Sequence, residues 1–249
     1  MAARKLTLEK DRELLAFIFA RFIDGEFTGL KEGYALNRAP NLAAADFLAK
    51  QIRDEIRHAN MYRTLYEYVA AKRRVPPSPW LLTLIMAPVT GRLWLEHCFL
   101  DKALGERWVL YLMETLTGAI EDRKITNHLK AIAKDERTHI AFGEEETRHG
   151  IAHSRFKRFY MWGLYLRVDF AMAAAYRLTR GLIRRRYSPA AAEILTDFFE
   201  SSRQRIHREI ALLLGVRETR SVIQMIICQV IFLVRLPFAG WFQNPRRSF

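Results

Sequence analysis

The sequence contains few cysteine, glycine and proline residues. Its 249 residues include 2 Cys, 12 Gly and 8 Pro. Because Cys98 and Cys228 lie far apart in apolar surroundings, we expect no disulfide scaffold and a reducing compartment. Between the few helix breakers, Leu, Ala, Arg and Glu recur at spacings of three and four. We therefore predict an all-α protein with little or no sheet.

The sequence also lacks a clear signal for export or membrane insertion. No apolar run follows Met1–Lys5, so a secretory signal is not expected. The apolar stretch 222–234 contains Gln224 and Gln229 and is too short for a convincing membrane span. We expect a cytoplasmic protein in which this stretch packs against the other helices, with peripheral membrane contact as the alternative.

Positive charge is concentrated in the last hundred residues. The net charge is +13, and residues 151–249 hold 17 Arg and Lys against 6 Asp and Glu. A basic surface attracts a membrane face, an acidic carrier protein or nucleic acid, or simply keeps the protein soluble. Since no nucleic-acid-binding motif is present, we do not expect a nucleic acid partner.

Helix-breaking and helix-capping residues divide the chain into seven predicted helical segments. Pro40 ends the first and Asn41 caps the second, a proline-rich break covers Val75–Pro79, and Ser188 with Pro189 starts the sixth. The predicted segments are 7–36, 42–72, 80–116, 122–149, 154–186, 189–215 and 217–234. We predict a single domain, 1–249, with a four-helix core at 7–150 and a basic helical extension at 151–249.

Two of the core helices carry the same short motif. Helix two contains Asp54-Glu55-Ile-Arg-His58, and helix four contains Asp135-Glu136-Arg-Thr-His139. Residues three apart share a helix face, so the glutamate and histidine of each motif are expected to bind the same metal ion. A single Glu-x-x-His is weak, but bundle di-metal sites need one copy from each of two helices and a glutamate from each of the other two.

The two single glutamates are predicted from matching offsets. Glu26 lies 29 residues before Glu55, and Glu106 lies 30 residues before Glu136. Equal offsets place all four carboxylates at a similar depth in two helical hairpins. Three acids on the same helix are alternatives to Glu106: Asp101, Glu96 and Glu114.

The ligand set indicates which metal to expect. Four carboxylates neutralise two divalent ions, whereas the same carboxylates buried without metal would repel one another. Oxygen-rich ligation without thiolate favours iron, with manganese in one position as an alternative. Asp54 and Asp135 are placed to accept a hydrogen bond from a ligand histidine. Arg57 either pairs with one of them or faces water.

The duplicated Asp-Glu-x-x-His with paired upstream glutamates resembles the ferritin-like di-iron carboxylate superfamily. The resemblance covers residues 7–150. Within that superfamily the aldehyde-deformylating oxygenases are nearest in local sequence, through Asp24–Glu26 and Lys134–Glu144. The resemblance implies a four-helix bundle with additional C-terminal helices, and Glu55 and Glu136 as the bridges between two irons. The implied iron ligands are Glu26, Glu55, His58, Glu106, Glu136 and His139.

The same resemblance implies an oxygen-activating oxidoreductase. It would be a monooxygenase or hydroxylase, a desaturase or a deformylating enzyme, using O2 and an external electron donor on an apolar, acyl or lipid-like substrate. The alternative is iron storage or peroxide removal, as in ferritins and rubrerythrins. An enclosed apolar tunnel to the metals would favour the oxygenase, and a cage-forming exterior would favour storage.

Overall fold

The protein is built from helices joined by short connections. A computed structural model describes residues 5–29, 33–71, 75, 93–219 and 221–235. Within these ranges the only β pairing is an isolated parallel bridge between Leu6 and Ile120, so the all-α prediction is confirmed. The elements are α1 (Leu8–Gly29), α2 (Gly33–Leu36), α3 (Leu42–Ala70), α4 (Trp94–His97), a π-helix (Cys98–Gly105), α5 (Glu106–Ala119), α6 (Arg123–Ile151), α7 (Arg155–Arg186), α8 (Pro189–Leu214) and α9 (Val222–Arg235).

Polar side chains fix the starts of the long helices. Asn41, Asp122, Ser154 and Ser188 each accept the backbone N–H three residues further on. Each cap satisfies one of the unpaired N–H groups of a helix start. The helix α8 ends at Gly215, whose φ of 62° lies in the left-handed region that glycine adopts without strain. These boundaries lie close to the predicted ones because capping residues are readable from sequence.

The structure corrects the predicted start of the last helix. Residues 216–219 are not helical, and α9 begins at Val222 rather than at position 217. Ser221 explains the difference, because its hydroxyl accepts the N–H of Gln224 and caps the helix there. The predicted continuity of the first helix across 30–32, the start of the third at 80 and most of the break at 75–79 lie outside the described residues.

The helices pack in pairs around one apolar cluster. Helix α1 packs on α3, the π-helix and α5 pack on α6, and α3 contacts α6. Helix α7 packs against α8 and α9, while α5 contacts α8. Buried apolar side chains from Leu6 to Cys228 belong to the same cluster. Cys98 is also buried, and neither cysteine forms a disulfide. The division of the chain at residue 150 stays a prediction.

A π-helix interrupts the helix that leads to Glu106. The N–H of Glu106 donates to the carbonyl of Asp101, five residues earlier, which widens the turn and adds a residue to it. Helix α6 lies unusually close to this segment at Gly143. A Cβ there would lie 2.5 Å from the Cβ of Lys102 and 2.8 Å from backbone atoms of the π-helix. Only glycine permits this approach.

Helix α9 lies along α7 at an equally close contact. A Cβ at Gly163 of α7 would lie 2.2 Å from the Sγ of Cys228. Gln224 also donates from Nε2 to the carbonyl of Phe159 at 3.1 Å. Among the helices in the described ranges, none has the combination of length and apolar content that crossing a bilayer requires.

Replacing Gly143 should destabilise the protein. Gly143→Ala forces α6 away from the π-helix backbone, and we expect the free energy of unfolding to fall by about 1–3 kcal/mol. Gly181→Ala is the matched control, because nothing lies within 4 Å of its added methyl group. That control should instead gain roughly 0.5–1 kcal/mol from helix propensity. Urea denaturation measures both, and a stabilised Gly143→Ala protein would show that the close approach is not needed.

Candidate metal centre

The six predicted ligand residues come together from four helices. Helices α1, α3, α5 and α6 supply them, and they form two groups of three. Within each group, one nitrogen or oxygen atom of every residue lies within 4.8 Å of the others. The first group is Glu26, His58 and Glu136, and the second is Glu55, Glu106 and His139.

The grouping mixes the two sequence motifs. His58 belongs with Glu136 of the other motif, although the spacing alone suggested Glu55 as its partner. Glu136 lies between the imidazoles, with Oε1 3.4 Å from Nδ1 of His58 and Oε2 3.3 Å from Nδ1 of His139. Glu55 belongs to the second group and hydrogen bonds to Glu26 of the first. Each motif glutamate therefore spans both groups, as a bridging carboxylate must.

The aspartates before each motif glutamate also cross between helices. Asp135 lies 3.2 Å from Nε2 of His58, and Asp54 lies 3.5 Å from Nε2 of His139. Each aspartate thus contacts the histidine of the opposite motif. Arg57 joins the two halves, since its Nη2 lies 2.8 Å from carboxylate oxygens of both aspartates. These contacts turn Nδ1 of each imidazole towards the cluster.

The alternatives to Glu106 lie elsewhere. Glu96 and Asp101 are paired with a tyrosine and a histidine that do not belong to the cluster. Glu114 forms ion pairs with two exposed arginines. The structure therefore brings Glu106, and none of the other three acids, to the two groups.

Sequence reasoning missed two polar residues beside the cluster. Lys102 is 1% exposed, and its Nζ lies 2.8 Å from Oε1 of Glu106 and 4.0 Å from Oε1 of Glu55. Gln51 donates from Nε2 to the same two oxygens, at 2.8 Å and 3.2 Å. Each residue precedes a predicted ligand glutamate by four positions and so shares its helix face. That spacing could have identified both.

The charged side chains of the cluster leave an excess of negative charge that two divalent cations would balance. Six carboxylates belong to the two groups and their aspartate partners, and the fixed cations that contact them are Lys102 and Arg57. With neutral imidazoles this leaves four negative charges to be balanced in a largely buried site. Two divalent ions supply that charge.

Two unpaired atoms also fit a metal. Nδ1 of His58 and Oε2 of Glu106 are buried and make no hydrogen bond of good geometry, although Oε1 of Glu136 lies 3.4 Å from that nitrogen. An imidazole nitrogen and a carboxylate oxygen in this state are costly unless something binds them. They belong to different groups, so each group offers one free ligand atom. The donor set therefore fits one metal ion in each group.

Without metal, two of the four cluster glutamates, Glu26 and Glu106, favour the protonated form. Burial raises the pKa of Glu26 well above the ordinary value, and a hydrogen bond that protonated Glu26 donates to Glu55, together with the negative charge of Glu55, adds to the shift. Burial also raises the pKa of Glu106 well above its usual range, although Lys102 opposes the shift. A buried carboxyl beside other carboxylates favours its neutral form.

The two histidines also favour the protonated form, because the neighbouring carboxylates stabilise a positive charge on the imidazole. Burial lowers the pKa of His139, but Glu136 and Glu106 outweigh it and raise that pKa to about 9. The pKa of His58 is likewise raised, because Glu136 and Asp135 outweigh burial. Burial raises the pKa of Glu136, yet the two imidazoles lower it to about 2. Protons therefore supply much of the positive charge that metal ions would bring.

The two groups differ in their surroundings. On the side of the first group, Tyr62 is fully buried, donates to Sδ of Met113 at 3.0 Å and packs on Phe22. On the side of the second group, a cleft of about 250 Å³ is lined in part by Gln51 and His139, which are themselves buried. Polar and charged side chains line most of this cleft, so it is not an enclosed apolar tunnel.

Comparison with protein-family models, with curated proteins and with solved structures found no match. The ferritin-like resemblance therefore stays a prediction from the sequence motifs. The chemistry of the site has to be inferred from the six clustered residues and the groups that contact them.

Metal-free protein should lose stability as the pH rises from 6.5 to about 9. A raised pKa means that the folded state binds the proton more tightly, so the histidine contribution is complete below pH 6.5 and lost through about pH 9. We expect a loss of roughly 2–3 kcal/mol for His139. Glu26 and Glu106, with raised carboxyl pKa values, act in the same direction.

Urea denaturation of metal-free protein across this pH range measures the effect. His139→Gln should flatten the pH dependence, whereas His128→Gln, which changes a partly exposed histidine outside the cluster, should leave it intact. Added Mn(II) should restore stability at high pH because it replaces the lost protons. If the free energy of unfolding depended on pH equally in the two variants, the predicted protonation of His139 would be wrong.

Removing the buried ammonium group of Lys102 should strengthen binding of the more weakly held of two Mn(II) ions. Lys102→Met keeps the side-chain length but deletes a positive charge beside Glu55 and Glu106, so we expect at least about tenfold tighter binding of the weaker Mn(II). Lys50→Met is the control, because Lys50 lines the cleft but is exposed. Its effect should stay within about threefold. Weaker binding in Lys102→Met would show that the lysine supports the site rather than opposing the ion.

Proposed function

We propose that this protein is a non-haem di-iron oxidoreductase whose metal site lies in a ferritin-like four-helix bundle. The bundle would consist of α1, α3, α6 and the helix formed by the π-helix and α5. The observation that carries the proposal is the gathering of all six predicted ligands into two groups of three, with a free ligand atom in each. Duplicated Glu-x-x-His with two further glutamates is the ligand pattern of di-iron bundles.

The surrounding residues have separate tasks in this proposal. Glu55 and Glu136 would hold ions in both groups. Asp54 and Asp135, joined by Arg57, would fix the tautomer and orientation of both imidazoles. Lys102 and Gln51 hold one oxygen of Glu106 and leave the other free. Two ferrous ions in this site would supply electrons for the reduction of dioxygen. Manganese in one position is the alternative.

The proposed substrate is apolar, of acyl or lipid-like type, and is oxidised with electrons from an external donor. Exposed aliphatic side chains on α7 and α9, beside many arginines, support an apolar partner with a negative headgroup. A basic surface also suits an acidic carrier or electron-transfer protein.

Iron handling or peroxide removal is the second candidate. The cleft beside the second group is polar, which suits a hydrated ion or peroxide better than an acyl chain. A protein with this function would take up and oxidise iron without an organic substrate. It would share the metal site with the first candidate and differ only in what reacts there.

Anaerobic titration of metal-free protein with Fe(II) tests the site. We expect two irons per chain, and an absorption band that develops on exposure to oxygen. Glu55→Ala with Glu136→Ala should abolish both, because it removes both bridging carboxylates. Glu67→Ala with Glu145→Ala is the matched control, since it removes two exposed glutamates from the same helices. Equal iron binding by the two double variants would contradict the proposal.

Oxygen consumption then separates the two functions. An oxygenase should consume oxygen continuously with a reductant and a fatty acyl probe, and stop after one round without them. An iron-handling protein should continue to oxidise added Fe(II) and retain more than two irons per chain. Peroxide consumption without an acyl probe would favour the detoxifying version.

A further inference from the structure

One face of α9 exposes a continuous row of aliphatic side chains. They recur at spacings of three and four and therefore share one side of the helix. Their exposed fractions run from 45% to 72%. The residues of this α9 stripe are Val222, Ile223, Ile226, Ile227 and Val230.

The opposite face of α9 is already occupied. Met225 and Ile231 pack against the core cluster, and Cys228 is buried against Gly163 of α7. The helix is thus apolar on both sides, although it lies at the surface of the described residues. Exposed aliphatic rows of this size are typical of surfaces that bind an apolar partner.

The charge around the stripe indicates the chemistry of that partner. Helix α7, on which α9 lies, contains 9 Arg and Lys but a single acidic residue, Asp169. Asp169 is buried and paired with Arg203, so it offers no surface charge. Arg155 and Lys157 are exposed within one turn of Phe159, whose carbonyl binds α9.

The sequence after α8 continues this pattern. No Asp or Glu follows Glu218, whereas Arg220, Arg235, Arg246 and Arg247 do. A second copy of this chain docked on the stripe would bring like charges together. A nucleic acid would match the charge but offers no apolar layer to receive a row of aliphatic side chains. An anionic bilayer offers both phosphate groups and acyl chains.

We propose that the α9 stripe docks on the surface of an anionic lipid bilayer. Its aliphatic side chains enter the boundary between headgroups and acyl chains, while the neighbouring arginine and lysine residues bind lipid phosphates. The remaining face of α9 stays on α7, so the helix lies along the membrane surface. This inference depends on the surface alone and holds whether or not the metal site binds iron.

Vesicle flotation of the full chain tests the proposal. We expect binding to phosphatidylcholine vesicles that contain phosphatidylglycerol, and much weaker binding to phosphatidylcholine alone. Ile223→Asp with Ile227→Asp should weaken binding by about tenfold or more, because it places charge in the stripe. Leu42→Asp with Leu212→Asp is the control, since it adds the same charge at two leucines that are more than 70% exposed on other helices.

Circular dichroism checks that both variants fold, and Ile223→Ser with Ile227→Ser is the milder substitute if the aspartates prevent folding. Equal vesicle binding by the stripe variant and its control would overturn the proposal, as would no binding to anionic vesicles by the unaltered chain. Sedimentation equilibrium without lipid tests the second copy. A dimer that the stripe substitutions dissociate would show that another chain, rather than lipid, covers α9.

Discussion

The structure depends on placing six carboxylates around one small, largely buried volume. Lys102 and Arg57 are the fixed cations that contact them, so four charges must come from protons or from metal ions. Close helix packing brings the charged groups together. Gly143 allows α6 to reach the π-helix that holds Lys102, and α3 lies against α6 so that their aspartates and histidines can pair.

The two halves of the cluster are chemically unequal. Near the first group, Tyr62, Phe22 and Met113 form a closely packed apolar wall. Near the second, a buried ammonium, an amide and a polar cleft meet. Ions in the two positions would therefore differ in their access to solvent and in the electrostatic potential that surrounds them. Of the six clustered ligand residues, His139 of the second group is the one that lines this cleft.

The sequence was sufficient for the helical class, most helix boundaries and the six clustered side chains. Capping residues and the duplicated Glu-x-x-His obey local spacing rules, and equal offsets then indicated Glu26 and Glu106. The crossed partnership of aspartates and histidines was not predictable, because it depends on how α3 faces α6. Lys102 was missed since a lysine is rarely fully buried. The π-helix has no simple sequence signature.

The crossed pairing also has a consequence for assembly. Nε2 of each histidine faces an aspartate carboxylate on the opposite helix, and Arg57 of α3 donates to Asp135 of α6. Neither half of the cluster is therefore complete in its own stretch of chain. A fragment that ends before α5 would carry Glu26, Glu55 and His58 without the residues that orient or bridge them. Docking of the two halves and completion of the binding site are the same event, so an ion that binds the completed site would stabilise the docked state.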